Sequence, residues 1–153
     1  MTDQDPMDVY SKPLKIEHTL LATIFFMKPR NKKEKPGRVL SVSYDKRFPL
    51  VKDFKINYIY TVNFLEKENH AGNHYHIKKN ELFVPLLGEF SVLLEDPKTK
   101  KKETIQIRAN EYPIIHVKAG TAHKVVSKSN QAILLVLATS ANIDGDEFNY
   151  DVN

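Results

Sequence analysis

The 153-residue chain contains no cysteine. Disulfides and thiolate chemistry are therefore excluded, and any metal would have to be held by nitrogen and oxygen. Glycine and proline, at five and eight residues, are too few for a linker-like or disordered whole. No apolar run approaches the roughly 18 residues of a membrane-spanning helix. The N-terminal MTDQDPMDVY is acidic and polar, unlike a secretory leader. A cytoplasmic protein with no membrane partner is the expectation.

What is present describes one folded domain. Apolar residues make up 41% and charged residues 27% of the chain, near the globular average, and the length suits a single core. The net charge of +4 gathers in tracts such as Lys28 to Lys35 and Lys98 to Lys102. No aromatic residue interleaves with these, so they read as solvated loops rather than a nucleic-acid groove, although a basic surface also attracts a phosphorylated small molecule.

Strand signals dominate. INYIYTVNFLE (56–66) alternates Ile56, Tyr58, Tyr60, Val62 and Phe64 against Asn57, Thr61 and Asn63, a period of two rich in β-branched and aromatic side chains. Similar runs occupy 38–43, 81–95, 103–108, 112–118, 123–128 and 131–139. Turn signals separate them, among them HAGN (70–73), KKN (78–80) and KAG (118–120). Seven or more closely spaced strands predict an antiparallel sandwich or barrel. Pro85 inside a strong run predicts a sheet edge or a bulge. Residues 1–37 read as an N-terminal extension ahead of a barrel domain over 38–153. Its one apolar patch, LLATIFFM (20–27), is expected to pack on the barrel or on a second subunit, making the extension a candidate arm of a homodimer.

GNHYHIKKNELFVPLLGEF (72–90) carries the chemistry. On a strand, His74 and His76 share a face with Tyr75 opposite. After a turn over 77–80, Glu81 would open the adjacent antiparallel strand and meet the pair across the ladder. His123, following the Gly120 turn, could enter from the opposite wall. Three imidazoles and a carboxylate suit Zn, Fe, Mn, Ni or Co. The competing reading, a solvent-facing histidine pair, is the usual fate of an isolated HxH. Tyr112 and His116, four residues apart, are further pocket candidates, set against an ordinary partly buried pair. Tyr58, Tyr60 and Phe64 suit either a ligand mouth or the core.

These residues carry a resemblance. His74, His76, Glu81 and Gly88, spaced H-x-H-x4-E-x6-G, resemble the first motif of the cupin superfamily, and KAGTAH (118–123) resembles the second, with Lys118 where proline is usual and Ser127 where asparagine is usual. The resemblance implies an all-β fold, the double-stranded β-helix or cupin jelly-roll barrel. GNHYHxxxNExF is similar to cupin domains of capsular polysaccharide biosynthesis proteins. ILLVLATSANIDGDEF is similar to the WxcM-like dTDP-4-keto-6-deoxyglucose 3,4-ketoisomerases and, more distantly, to the RmlC-like rhamnose-pathway epimerases. Two departures stand out. Ala71 replaces an arginine suited to a phosphate or sugar oxygen, and Glu81 stands where the ketoisomerases, whose histidines act without metal, tend to have glutamine.

The resemblance implies a sugar-nucleotide isomerase or epimerase acting beside a ketone, with a nucleoside diphosphate sugar as its small-molecule partner. His74, His76, Glu81 and His123 would hold a divalent metal. His74 and His76, or His116 and Tyr112, would carry protons. Two alternatives use the same barrel: a metal-dependent dioxygenase, and a non-catalytic sugar-binding module.

Overall fold

Period-two alternation places every second side chain on the same face of a strand, and in a computed structural model of the chain this pattern builds two facing antiparallel sheets. The structure describes residues 6–153, so residues 1–5 of the extension lie outside the described residues. The strands are β1 (Pro13–His18), β2 (Ala22–Met27), β3 (Arg30–Asn31), β4 (Val39–Leu40), β5 (Tyr58–Phe64), β6 (His70–Tyr75), β7 (Glu81–Leu87), β8 (Glu89–Glu95), β9 (Lys102–Arg108), β10 (Pro113–Val117), β11 (Ala122–Ser127), β12 (Ala132–Ala138) and β13 (Phe148–Asn149). One sheet runs β1-β2-β10-β7-β12-β5 and the other β13-β6-β11-β8-β9, with β3-β4 a small separate ribbon. Short 3₁₀ turns at Met7–Ser11 and Ala109–Glu111 are the only helical segments among the described residues. None is long and apolar enough to cross a membrane.

The main core lies between the sheets. Phe90, Val92 and Leu94 of β8 and Ile105 and Ile107 of β9 meet Phe83, Ile115, Val117, Leu134 and Val136 from the six-stranded sheet. A second cluster covers that sheet's outer face, where Phe25, Met27, Leu82, Val84, Ile114 and Leu137 pack with Phe54 under Leu50, Val51 and Ile56. The loop before β5 thus seals a face that would otherwise be exposed and apolar.

The structure departs from the sequence reading in several places. The division at residue 37 is not a division of the fold, because β1 and β2 are two strands of the six-stranded sheet. The Leu20–Met27 patch is largely spent inside its own chain: Ile24 belongs to the inner core, and Phe25 and Met27 to the outer cluster. Leu14, Ile16 and Leu20 are what remains exposed on this arm. The expected strand over 38–43 shrinks to the exposed pair Val39–Leu40. HAGN, read as a turn, is most of β6. Pro85 marks a bulge rather than an edge: β7 is central, its register against β12 shifts beside Pro85, and its pairing with β10 covers only Glu81 to Phe83. The missing proline N–H therefore costs no bond on the β10 side.

Candidate active site

Gly72 and Asn73 both have positive φ, +96° and +63°, and the register of β6 against β11 shifts there, from Lys124↔Gly72 to His123↔His74. This bulge breaks the strand's alternation, so that Ala71 and His74 both reach the space between the sheets. Only glycine fits at position 72, where a β-carbon would lie 2.5 Å from the carbonyl oxygen of His123. Tyr75 faces away and stacks on Phe148 with centroids 5.2 Å apart. The chain then crosses to the other sheet through the turn at 77–79. Asp146 holds that turn, its carboxylate accepting the backbone N–H groups of Ile77 and Lys78 at 2.9 Å each and of Lys79 at 3.2 Å. The KAG turn is tied to the same place by the Gly120 N–H, which donates to the His76 carbonyl.

His74, His76 and His123 come together, with ring centroids 4.8 Å apart for His74–His76 and for His74–His123, and 5.8 Å for His76–His123. Glu81 joins them, but the expected walls are exchanged. His123 is the ladder neighbour of His74 on β11, and Glu81 comes from the opposite sheet. The reason is the jelly-roll crossing itself, which sends β6 and β7, consecutive in sequence, to different sheets.

Each imidazole is anchored through Nδ1 to an oxygen that only accepts: Glu147 Oε1 at 3.2 Å for His74, the Asp146 carbonyl at 3.0 Å for His76, and the Thr121 carbonyl at 3.2 Å for His123. Nδ1 of a neutral ring therefore carries the hydrogen and donates, leaving Nε2 a lone pair. Nε2 of His76 is buried with no partner. Burial pushes His74 below its ordinary basicity despite the nearby Glu147 carboxylate. It pushes His123 down to about 4, against the pull of Glu81. Nε2 of His123 lies 3.3 Å from Glu81 Oε2. With Nδ1 donating elsewhere, these two atoms are acceptors face to face, an arrangement that a shared proton or a bound cation stabilises.

Sequence reasoning missed the group that faces Glu81 from the other side. The Lys79 ammonium, with its side chain 2% exposed, lies 3.2 Å from Glu81 Oε1, and the Tyr60 hydroxyl donates to the same oxygen at 2.9 Å. Burial raises the Glu81 carboxyl, but the surrounding histidines, Lys79 and the Tyr60 hydrogen bond outweigh it and hold it below the usual value. Burial, then the Glu81 charge, pushes the Tyr60 phenol well above its ordinary range, so it stays a donor. KKN (78–80) reads in the sequence only as a turn, and only the crossing between sheets turns Lys79 inward. Asp146 was missed as well. The one signal for it was its place in the ANIDGDEF segment already singled out.

A cavity of about 260 Å³ opens onto this cluster. Val62, Phe83, Val125, Leu134 and Val136 give it apolar walls, and His74, His123, Lys79, Tyr58, Tyr60, Asn142 and Glu147 its polar groups. The aromatic alternation on β5 therefore divides: Tyr58 and Tyr60 line the cavity, while Phe64 packs in the core against Phe90. A larger hollow of about 520 Å³ on the β3–β4 ribbon is lined by Arg30, Lys32, Lys35, Arg38, Val39, Leu40 and Ser41. It brings no histidine or carboxylate to a substrate.

His116 and Tyr112 do not join the site. Ile115 and Val117 point inward, so His116 points outward, where its ring meets Phe54 edge-on at 6.0 Å and its Nε2 lies 3.3 Å from Asn80 Oδ1. Tyr112 is not on the strand. It closes the 3₁₀ turn with φ +53° and packs on the outer cluster. His18 and His70 are exposed.

The three imidazoles fit a divalent metal. Their ligand atoms lie within 4.8 Å of one another, each opposite nitrogen has an oxygen acceptor of the kind that orients metal-bound histidine, and the orphaned Nε2 of His76 lacks only a partner. Glu81 stands outside that group of three, with one oxygen already held by Lys79 and Tyr60.

Two antiparallel sheets closing over a cavity lined by histidines from the HxH strand and its neighbour define a cupin. The particular family is the one described as FdtA, WxcM-like C-terminal, whose model matches residues 24–153; the chain belongs to it. No curated protein sequence matches the chain. Among solved structures it is similar to the sugar 3,4-ketoisomerase QdtA of Thermoanaerobacterium thermosaccharolyticum in complex with TDP, at TM-score 0.71 and 17% identity over 86% of this chain and 90% of that one. It is similar to the TDP-fucose-3,4-ketoisomerase WlaRA of Campylobacter jejuni, at TM-score 0.66 and 23% identity over 85% and 89%. It is also similar to the 3,5-epimerase RmlC of Legionella pneumophila in complex with dTDP-4-keto-L-rhamnose, at TM-score 0.74 and 16% identity over 88% and 76%. At these identities the likeness is one of fold.

Proposed function

We propose that this protein is an isomerase or epimerase of a nucleoside diphosphate 4-keto-6-deoxy sugar, working at the carbon beside the ketone. The observation that carries the reading is the anchored imidazole of His74 on the wall of a small, mostly apolar cavity. Its Nδ1–H is committed to Glu147, and burial keeps the ring uncharged. Its Nε2 is thus a base without a proton, as abstraction from carbon requires. A proton on carbon next to a carbonyl is acidic enough for such a base only if the resulting enediolate is stabilised and water is kept out. The apolar walls limit the water around the reacting carbon, and the polar rim supplies donors, the Tyr60 O–H being committed to Glu81. Family membership and ketoisomerase and epimerase structures of the same fold, solved with TDP or keto-sugar nucleotides, support the substrate class.

The histidine cluster supports a second reading of the same site. A divalent ion on the three imidazoles would supply Lewis-acid polarisation of a substrate oxygen. His74 would then be a ligand, and His74→Ala would lower metal content together with activity. In the metal-free reading the variant keeps its metal status and loses the proton step alone. Elemental analysis of wild type and variant separates the two.

The test of the function is incubation with TDP-4-keto-6-deoxyglucose, with NMR analysis of the sugar. Conversion to a positional isomer or an epimer supports the reading. Saturable binding without conversion would assign a binding module instead, and oxygen consumption by the ferrous protein a dioxygenase.

A further inference from the structure

Among the described residues, Lys79 is the only lysine or arginine on the wall of the histidine cavity, and it is almost wholly buried, at 3% exposure. A buried ammonium is costly unless its charge is compensated and its N–H groups are placed. Glu81 supplies the compensation at 3.2 Å, and Asn142 Oδ1 accepts one N–H at 2.8 Å. The Tyr60 ring lies beneath, 5.5 Å from Nζ to its centroid. An ammonium has three N–H donors. Two have oxygen partners, and the third is left on a side chain that lines the cavity beside His74 and His123. Glu81 keeps the local charge near neutral without reaching the cavity wall itself, so the field Lys79 presents to a bound molecule is that of an oriented donor.

We infer that Lys79 is the group that receives the substrate's developing oxyanion. This rests on the proposed keto-sugar chemistry and adds to it the electrophile that the chemistry needs. As the C–H bond beside the ketone breaks, its electron pair forms the carbon–carbon double bond of the enediolate and the carbonyl π pair moves onto oxygen. The proton passes to Nε2 of His74 and is later returned to carbon. The Lys79 N–H donates to that oxygen throughout. A cation this deeply buried, in a cavity of about 260 Å³, suits one sugar oxygen rather than a diphosphate. Its hydrogen bond strengthens as charge builds, so its contribution falls on kcat more than on binding.

The experiment uses Lys79→Met, with Lys79→Met/Glu81→Gln as the variant that leaves no buried carboxylate unpaired and Glu81→Gln as its control. Wild type and variants are compared for turnover of TDP-4-keto-6-deoxyglucose, for binding of TDP, and for the 13C shift of the sugar carbonyl in the bound complex. The expected result is a kcat lower by about 10²- to 10³-fold in both Lys79 variants. TDP affinity is expected within about threefold, and the carbonyl carbon should move upfield towards its free position because its polarisation is lost. A folded Lys79 variant that turns over like wild type, or a bound carbonyl shift indifferent to Lys79, overturns the inference while the function stands. Wild type that neither binds nor converts the keto-sugar nucleotide overturns the functional reading, and the inference falls with it.

Discussion

His116 and His123 are both buried strand histidines, and burial lowers each to about 4, yet one belongs to the site and the other does not. His116 sits in β10 with its ring in the outer cluster, its Nε2 near Asn80 and its nearest ring that of Phe54. His123 sits in β11 facing the inner cavity, with a carboxylate opposite and two more imidazoles beside it. A depressed basicity therefore reports burial in both cases and function in neither. What separates the two is the face of the sheet. On the inner face a nitrogen lone pair can meet a ligand, and on the outer face the loop over 50–56 has sealed the surface.

Substitutions on the two faces should diverge accordingly. His74→Ala is expected to cost about 10²- to 10⁴-fold in kcat with little change in thermal midpoint, since the ring is only half-buried; a steady-state assay and a melting curve check both halves. Gly72→Ala should be next. Its new β-carbon meets the His123 carbonyl in a backbone conformation that costs an L-residue about 1–3 kcal/mol, and displacing His123 by a fraction of an ångström should lower kcat by about 10²-fold. Asp146→Ala removes the carboxylate that holds the 77–79 turn, so Lys79 and the chain leaving His76 lose their support while the carbonyl that anchors the His76 ring stays. About tenfold in activity and about 1–3 kcal/mol in denaturant stability are expected.

His116→Leu is the contrasting case, with activity expected to stay within about threefold. Its signature is pH dependence. The folded value of about 4 lies below the ordinary 6.5, so between these values the unfolded chain binds the proton more readily, and stability is present above 6.5 and drains away towards pH 4. Without this histidine the melting temperature should fall less steeply across that window. A His116→Leu variant as inactive as His74→Ala would erase the distinction between the two faces.

β5 was legible because its alternation is strong, and β9, β11 and β12 fell within strand-like runs, whereas the single run read over 81–95 divides at Gly88 into β7 and β8 on opposite sheets. The pairing of His74 with His76 was legible from alternation too. Alternation cannot say which sheet a strand joins, and so Glu81 and His123 were expected from each other's walls. Nor can it register a bulge, and HAGN was read as a turn because Gly72 and Asn73 are turn formers; here they kink a strand instead. His116 shows the remaining ambiguity. A strand buried on both faces, as β10 is, has no polar side to mark which residues point outward. Lys79 was hidden by composition, since a lysine in a polar turn has no local sign that the turn will be buried.

Proton exchange in D2O tests the account at its centre. With TDP-4-keto-6-deoxyglucose and the protein, 1H NMR should show the proton on the carbon beside the ketone replaced by deuterium, at a rate that falls about 10²- to 10⁴-fold in His74→Ala. A protein that binds the nucleotide sugar and leaves that proton in place, at the same rate as buffer alone, would contradict it.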